Sequence, residues 1–264
     1  MPLQNLHPTF GWPFTELKTV DSTNKYAMAL INEGVAQAGQ AIFAHEQVAG
    51  RGQRGNTWHT IGGQNITISL LINPSLTRIS GQPATSPNPA SQFLLSATTA
   101  LGTLDFFENF TNGDCSLKWP NDLYWRDRKA GGILIENQIR PNQGWLWAVA
   151  GIGININQTI FPTELPNPVS LKQITGKEYD PLSLAKDLCE KITIRFHQAQ
   201  NSGPDIILTD YNKHLYKKGQ TVKIRKDNRL FEATIIAVNP FGQLEVLLGD
   251  RRESLDWPAE LVDR

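Results

Sequence analysis

The chain has 264 residues, 40% of them hydrophobic, enough for one substantial core and a small second unit. Its 25 Lys and Arg balance its 25 Asp and Glu, so any basic cluster is local, and a broad nucleic-acid or membrane footprint is not indicated. Two distant cysteines, Cys115 and Cys189, without a CxxC pair, and five histidines without ligand spacing argue against a disulfide scaffold and a zinc site.

From the N-terminus, Asp21 or Ser22 can cap a helix whose apolar positions Tyr26, Ala27, Leu30 and Ile31 recur at helical spacing, with Gly34 closing it. A strand over Ala41 to Ala44 leads into a glycine-rich stretch from Gly50 to Gly63. The run NITISLLIN puts Ile66, Ile68, Leu70 and Ile72 on one face, the pattern of a half-buried strand. Arg78 to Ser91 is rich in Pro, Ser and Ala and reads as a mobile loop, and the loop near 80–90 receives no role. The next helix has Phe93, Ala97, Leu101 and Leu104 as its inner stripe.

Two β-prone runs, near Gly132 to Ile139 and Trp145 to Asn157, flank Pro141 to Gly144 and predict a hairpin. A longer helix starts at Pro181 after Asp180, with Leu184, Leu188, Ile192 and Phe196 four apart. From Gly219 the pattern changes to TVKIR, FEATIIAV, QLEVLL and ESLDW, separated by KDN, NPFG and GD turns. Such spacing predicts a small antiparallel barrel or meander, with a boundary near residue 217.

Four stretches carry candidate chemistry. In GRGQRG (50–55) glycines allow close backbone approach while Arg51 and Arg54 offer planar forks to a carboxylate or phosphate; a solvated glycine turn is the bland alternative, and the Lys-Ser/Thr of a Walker A loop is missing. In KWPNDLYWRDRKAGG (118–132) Lys118 and Lys129 supply charge. Pro120 holds the chain extended there, so that Asn121 and Asp122 sit at a bend facing a pocket, and Asp122 is a candidate Mg²⁺ ligand; an Asx turn is the alternative. In GIGININ (151–157) strand periodicity places Gly151, Gly153, Asn155 and Asn157 on one face, a ligand floor, opposite three core isoleucines. Asp21-Ser22-Thr23-Asn24 reads first as a helix cap and second as a site of free backbone donors.

Together, DSTN (21–24), Gln47 leading into GRGQRG with Trp58, KWPNDLY (118–124), DRKAGGIL (127–134) and GIGIN (151–155) resemble the motifs of biotin protein ligases in order and spacing. The C-terminal β pieces resemble the small SH3-like domain of that family, so the resemblance covers nearly the whole chain. It implies an α+β fold: a mixed sheet with flanking helices, as in class II aminoacyl-tRNA synthetases and the biotin–lipoate ligase catalytic domain, over residues 1–217, with an SH3-like β-barrel over 218–264.

The implied activity is acyl-adenylation of biotin by ATP with Mg²⁺, then transfer to a lysine of the biotin carboxyl carrier protein of acetyl-CoA carboxylase. By this resemblance Lys129 bridges the biotin carboxyl and the α-phosphate, and Arg51 and Lys118 complete the catalytic set. Biotin contacts fall to Ser22, Thr23, Asn24, Gln47, Arg51, Gly52, Gln53, Lys129, Gly132 and Gly151. ATP contacts fall to Arg51, Arg54, Trp58, Lys118, Asn121, Asp122, Lys129 and Asn155, with Asp122 the Mg²⁺ carboxylate. The glycine loop is expected to be mobile when empty and ordered over the adenylate.

Gln53 stands where many relatives have arginine in GRGRRG, which removes one charge from the loop and bears on retention of the adenylate, for which Arg54 or another cation is expected to compensate. About twenty residues precede DSTN, too few for the winged helix-turn-helix of the repressor members, so no DNA binding is expected. The N-terminus lacks a basic-then-apolar signal pattern and no run reaches membrane-spanning length, which predicts a cytoplasmic protein without a membrane partner. A homodimer is left open, as are two alternatives: a non-catalytic adenylate-binding regulator, and lipoate or octanoate transfer on the same scaffold.

Overall fold

The computed structural model describes residues 9–77, 88–227, 229–256 and 258–262. The side chain of Arg54 and most of the Pro/Ser-rich loop (78–87) lie outside them. The first sheet opens with β1 (Phe14–Val20), which runs parallel to β2 (Ala41–Gln47), and α1 (Thr23–Asn32) supplies the crossover that parallel neighbours require. Antiparallel β3 (Asn65–Ile72) follows, then a single-turn α2 (Pro74–Thr77) and the long α3 (Pro89–Thr111). A tight hairpin of β4 (Cys115–Lys118) and β5 (Asp122–Trp125) precedes the long hairpin of β6 (Arg128–Arg140) and β7 (Gly144–Asn155). The seven strands are ordered β1-β2-β3-β7-β6-β5-β4.

Helices α4 (Leu171–Thr175), α5 (Pro181–Ser202) and α6 (Pro204–Lys213) lead to a second sheet. That sheet is antiparallel, with β8 (Thr221–Lys226), β9 (Arg229–Val238), β10 (Leu244–Leu248), β11 (Arg251–Leu255) and β12 (Glu260–Leu261) in the order β11-β10-β9-β8-β12. The mixed sheet with flanking helices and a small C-terminal β unit is therefore the fold this sequence adopts. Among the described residues no helix is long and apolar enough to cross a membrane.

Local chemistry sets several boundaries. Helix α5 starts at Pro181 because the Asp180 carboxylate accepts from the backbone N–H groups of Leu182 and Ser183, both at 3.2 Å. Helix α3 starts at Pro89, slightly ahead of the expected loop end at Ser91, because Asn88 caps it by accepting from Ser91 N. At α1 the expectation of a side-chain cap is corrected: Ser22 has the extended N-cap backbone but makes no capping bond, and Asp21 pairs instead with Lys25 at 2.6 Å on the surface.

The half-buried reading of β3 is also corrected, since all its residues are buried. Ile66, Ile68, Leu70 and Ile72 join the core under α3 and α5, while Leu71 packs with Ala27, Ile31, Ile42 and Val149 beneath α1. The polar alternation survives burial because the hydroxyls are bonded; Thr67 Oγ1 donates to the Ala44 carbonyl at 2.5 Å. A sheet sandwiched on both faces presents its polar residues to the inside, and that buried polar face becomes the site.

Three helices behind the sheet are tied by one guanidinium. Arg195 of α5 donates through Nε and Nη2 to Asp105 of α3 at 2.5 and 2.7 Å, and through Nη1 to Asp210 of α6 at 2.6 Å. Its side chain is only 12% exposed, and the Asp105 hydrogen bond raises its affinity for the proton against the opposing effect of burial. Arg195→Ala should therefore lower stability by about 2–3 kcal/mol, less than a fully buried pair because the carboxylates keep some water. Urea unfolding measures this, and an unchanged midpoint would contradict the clamp.

Candidate active site

Lys118 and Asp122 face each other across the β4–β5 hairpin, whose turn contains a cis Trp119–Pro120 bond. Pro120 thus turns the chain rather than holding it extended. Asn121, expected to be free at this bend, is buried; its amide donates to the Ile133 carbonyl while its own carbonyl accepts from Ile133 N. It staples the turn to β6. Tyr211 supports the turn from below, donating to the Pro120 carbonyl at 3.1 Å. Burial, and then the charge of Asp122, push this phenol well above its ordinary range, so it remains a donor.

A register irregularity then aims Lys129. On β6, Lys129 pairs with Tyr124 while Gly131 pairs with Leu123, leaving Ala130 as an extra residue buried in the core. In a regular strand, residues 129 and 132 point to opposite faces; the inserted residue brings them to one. Lys129 therefore leans over Gly132, and its Nζ meets Asp122 Oδ1 at 2.7 Å. Lys118 is buried at the same mouth, with Nζ 3.2 Å from the Tyr124 hydroxyl and 5.0 Å from its ring centroid.

The opposite wall comes from α1, β2 and β3. Ser22, Thr23 and Asn24 are buried. The α1 N-terminus is served by Gln47, whose Oε1 accepts from Thr23 N at 2.7 Å and from Thr23 Oγ1 at 3.0 Å. Ser69, which no sequence motif singled out, contacts Thr23 Oγ1 at 2.7 Å and donates to Asn24 Oδ1 at 2.6 Å. Asn24 Nδ2 donates to the Leu134 carbonyl at 3.2 Å and to Glu136 Oε2 at 2.8 Å. The same carboxylate oxygen receives Arg51 Nη2 at 2.8 Å. GRGQRG forms a closed hairpin: Arg51 bridges Thr57, Gly52 N donates to Asn56 O at 2.7 Å, and a 3-10 turn spans Gln53–Gly55.

The floor is β7. Side chains fill the space its glycines leave: a Cβ on Gly151 would lie 2.3 Å from Asn24 Oδ1, and one on Gly153 2.4 Å from the Trp58 ring. The Trp58 Nε1 is buried without a protein partner among the described residues, so moving the indole breaks no hydrogen bond of that group. Asn155 is placed otherwise than expected, outside the cavity wall, with its amide donating to the Val169 carbonyl at 3.1 Å. Asn157 lies past the end of β7 and bonds Tyr179 through its amide.

These pieces enclose a cavity of about 240 Å³, lined by every predicted site residue with a described side chain except Asn155. That is below the roughly 300 Å³ at which pockets for drug-sized ligands begin, so a large ligand has to move Trp58 aside. Glu260 and Leu261 of β12 also line it, and Trp119 Nε1 donates to the Gly242 carbonyl at 2.9 Å, so the second sheet is part of the wall. Sequence reasoning missed Ser69, Glu136 and β12. Alternation along β3 and β6 places the first two on the pocket face, but nothing in the sequence signalled the third.

The chemistry is that of an anion site whose cations are held in reserve. Arg51 and Lys129 each sit against a carboxylate, so an entering anion exchanges one ion pair for another instead of meeting bare charge. Among the described residues no three His, Cys, Asp or Glu side chains cluster to hold a metal by themselves.

Comparison with known proteins places these features. The model of the biotin/lipoate A/B protein ligase family matches residues 16–155. The chain is 27% identical over 239 residues, 89% of its length, to a bifunctional ligase/repressor BirA of Bacillus spizizenii, and 28% identical over 207 residues to a biotin--[acetyl-CoA-carboxylase] ligase of Mycobacterium tuberculosis, covering 77% of this chain and 71% of that one. It spans 41% to 69% of the length of four bifunctional relatives of the BirA type. The biotin protein ligase from Aquifex aeolicus in complex with biotin and ATP superposes with a TM-score of 0.77 at 24% identity, covering 95% of this chain and 99% of that one.

The two adjacent glycines of β6 should respond differently to a methyl group. A Cβ on Gly131 would lie 2.7 Å from the Gly153 carbonyl, so Gly131→Ala must move backbone and should cost about 1–3 kcal/mol. At Gly132 it meets only the tips of Asp122 (3.2 Å) and Lys129 (3.5 Å), so Gly132→Ala should lose less than about 1 kcal/mol and instead crowd the ion pair. Chemical denaturation of both variants measures the contrast, and equal losses would contradict it.

Proposed function

This chain belongs to the biotin/lipoate A/B protein ligase family, and from that premise we propose that it joins biotin to a carrier protein through biotinyl-5′-AMP. The observation that carries this reading is the Lys129–Asp122 pair at the mouth of a cavity walled by polar side chains on α1 and β2 and by glycine-bearing backbone on β6 and β7. In the first step a biotin carboxylate oxygen attacks the α-phosphorus of ATP, and the bond to pyrophosphate breaks. Two anions must approach, and Lys129 offers a cation to the carboxylate and the α-phosphate together. Lys118 balances charge on the phosphates, and Arg51 holds phosphate under the glycine loop. Asp122 is the carboxylate that would hold an Mg²⁺ ion, which would supply further neutralisation of phosphate charge.

At the other end the bicyclic head of biotin takes few but directed hydrogen bonds, from Ser22, Thr23, Asn24 and Gln47, with the Gly52 and Gln53 segment above it and the bare backbone of Gly132 and Gly151 below. Trp58, whose indole N–H has no partner among the described residues, covers the adenine. Nucleotide contact by Asn155 would need its bond to Val169 exchanged. In the second step a neutral lysine amine of the carrier attacks the acyl carbon, AMP leaves, and a proton passes to solvent.

The acceptor we propose is the biotin carboxyl carrier of acetyl-CoA carboxylase, docking on the β1 edge of the seven-stranded sheet, since the β4 edge is covered by the bonds of Leu117 to His214 and Tyr216, and a second copy of the chain competes for the β1 edge if a homodimer forms. Residues 1–217 form the catalytic unit in this reading and 218–264 a small β unit closing one side of the pocket. Balanced charge supports no nucleic-acid or membrane role, and dependence on ATP fits the cytoplasm.

ATP–pyrophosphate exchange tests this directly. Exchange is expected with biotin and not with lipoate or without either acid; exchange with lipoate alone would reassign the substrate, and silence with both would remove the activity. Lys129→Ala should lower biotin-dependent exchange by roughly 100-fold or more.

A further inference from the structure

Behind the wall formed by the start of α1, three oxygen-to-oxygen links share two hydroxyl protons. Ser69 Oγ lies 2.6 Å from Asn24 Oδ1 and 2.7 Å from Thr23 Oγ1, and Thr23 Oγ1 lies 3.0 Å from Gln47 Oε1. Neither amide can turn over to supply a proton. Asn24 Nδ2 gives its protons to the Leu134 carbonyl and to Glu136, and Gln47 Oε1 accepts from Thr23 N, so each amide presents its oxygen to the network. The proton on the Asn24 link is therefore that of Ser69. Thr23 has a single proton to give, to Ser69 or to Gln47, and in either arrangement Thr23 Oγ1 faces a second oxygen with no proton between them. Ser69 is fully buried and Thr23 nearly so, where an unmet pair of acceptors is costly.

We infer that Ser69 is a positioning residue for substrate choice: acting through Thr23, it leaves the network one proton short, so that the group recognised at Thr23 Oγ1 is an N–H donor. Thr23 lines the cavity and Ser69 does not, so the ligand meets the consequence of Ser69 without touching it. A cyclic urea brings the missing proton on its N–H. The dithiolane ring of lipoate has none to give, and the network thus separates the two acyl classes named in the family to which the chain belongs. This rests on the function proposed above, whose substrate it sharpens.

Calorimetric titration of the purified chain with biotin, and with the two cyclic carbamates in which one or the other ureido N–H is replaced by oxygen, tests this. For the wild type one of the carbamates should bind roughly 100-fold more weakly than biotin, because losing the donor leaves acceptors unpaired. Ser69→Ala leaves one hydroxyl proton for one link, which removes the shortage, so the penalty on that carbamate should shrink to about tenfold or less. Ser69→Cys keeps the proton count on a weaker donor and should fall between the two, and its ratio decides if Ser69→Ala does not fold. A merely structural role for Ser69 weakens biotin and carbamate alike. An unchanged ratio in the variants, or a wild type indifferent to both carbamates, therefore overturns the inference and leaves the biotin reading standing. A wild-type chain that binds no biotin overturns both.

Discussion

The ion pair between Lys129 and Asp122 depends on a single residue too many. Ala130 is inserted in β6 and buried in the core, and without that insertion Lys129 would point away from Gly132 and Asp122. Much of the surrounding structure serves to hold the two partners where the bulge brings them. Asn121 staples the β4–β5 turn to β6, Tyr211 bonds that turn from the helical side, and Trp119 ties it to the second sheet. On the other flank, the backbone of Lys129 is clasped by Asn167 and Val169. A lysine and a carboxylate at the mouth of one cavity attract each other, and their mutual neutralisation is what allows a cation to wait there for an anion.

A second consequence follows from covering the main sheet on both sides. Strand β3 sends its isoleucines toward α3 and α5 and its polar residues toward α1, so Ser69 is buried with its hydroxyl committed to Thr23 and Asn24. These bonds set the orientation of the α1 start before a ligand enters, so ordering of those side chains does not have to be supplied by binding energy. Glu136 extends the same network to the loop. The pocket is thus assembled from the hydrogen-bonding needs of a buried polar surface, with glycines at 151 and 153 where the covering side chains come closest.

Motifs with strong local chemistry were legible in the sequence. DSTN, GRGQRG, KWPND, RKAGG and GIGIN all reach one cavity, and the hairpin of β6 and β7, the helix after Asp180 and the C-terminal meander appear where periodicity and turn residues place them. What escaped depends on contacts distant in sequence. Strand β1 is short and mixed in burial, and it exists because β2 gives it a parallel partner. Ser69 and Glu136 carry no motif, and their roles arise from what α1 and the loop bring to them. Asn121 and Asn155, read as free pocket side chains, instead bond backbone carbonyls, a choice that only the tertiary structure makes. The wall made by Glu260 and Leu261 arises from a chain end folding back beside β8.

The central claim is that Lys129 exchanges Asp122 for the reacting anions. A crystal structure of the chain grown with biotin and ATP tests it most directly. The account predicts Lys129 Nζ within hydrogen-bonding distance of both the acyl oxygen and an α-phosphate oxygen, and parted from Asp122, which turns to the metal. A bound adenylate with Lys129 still seated on Asp122, touching neither oxygen, would contradict it.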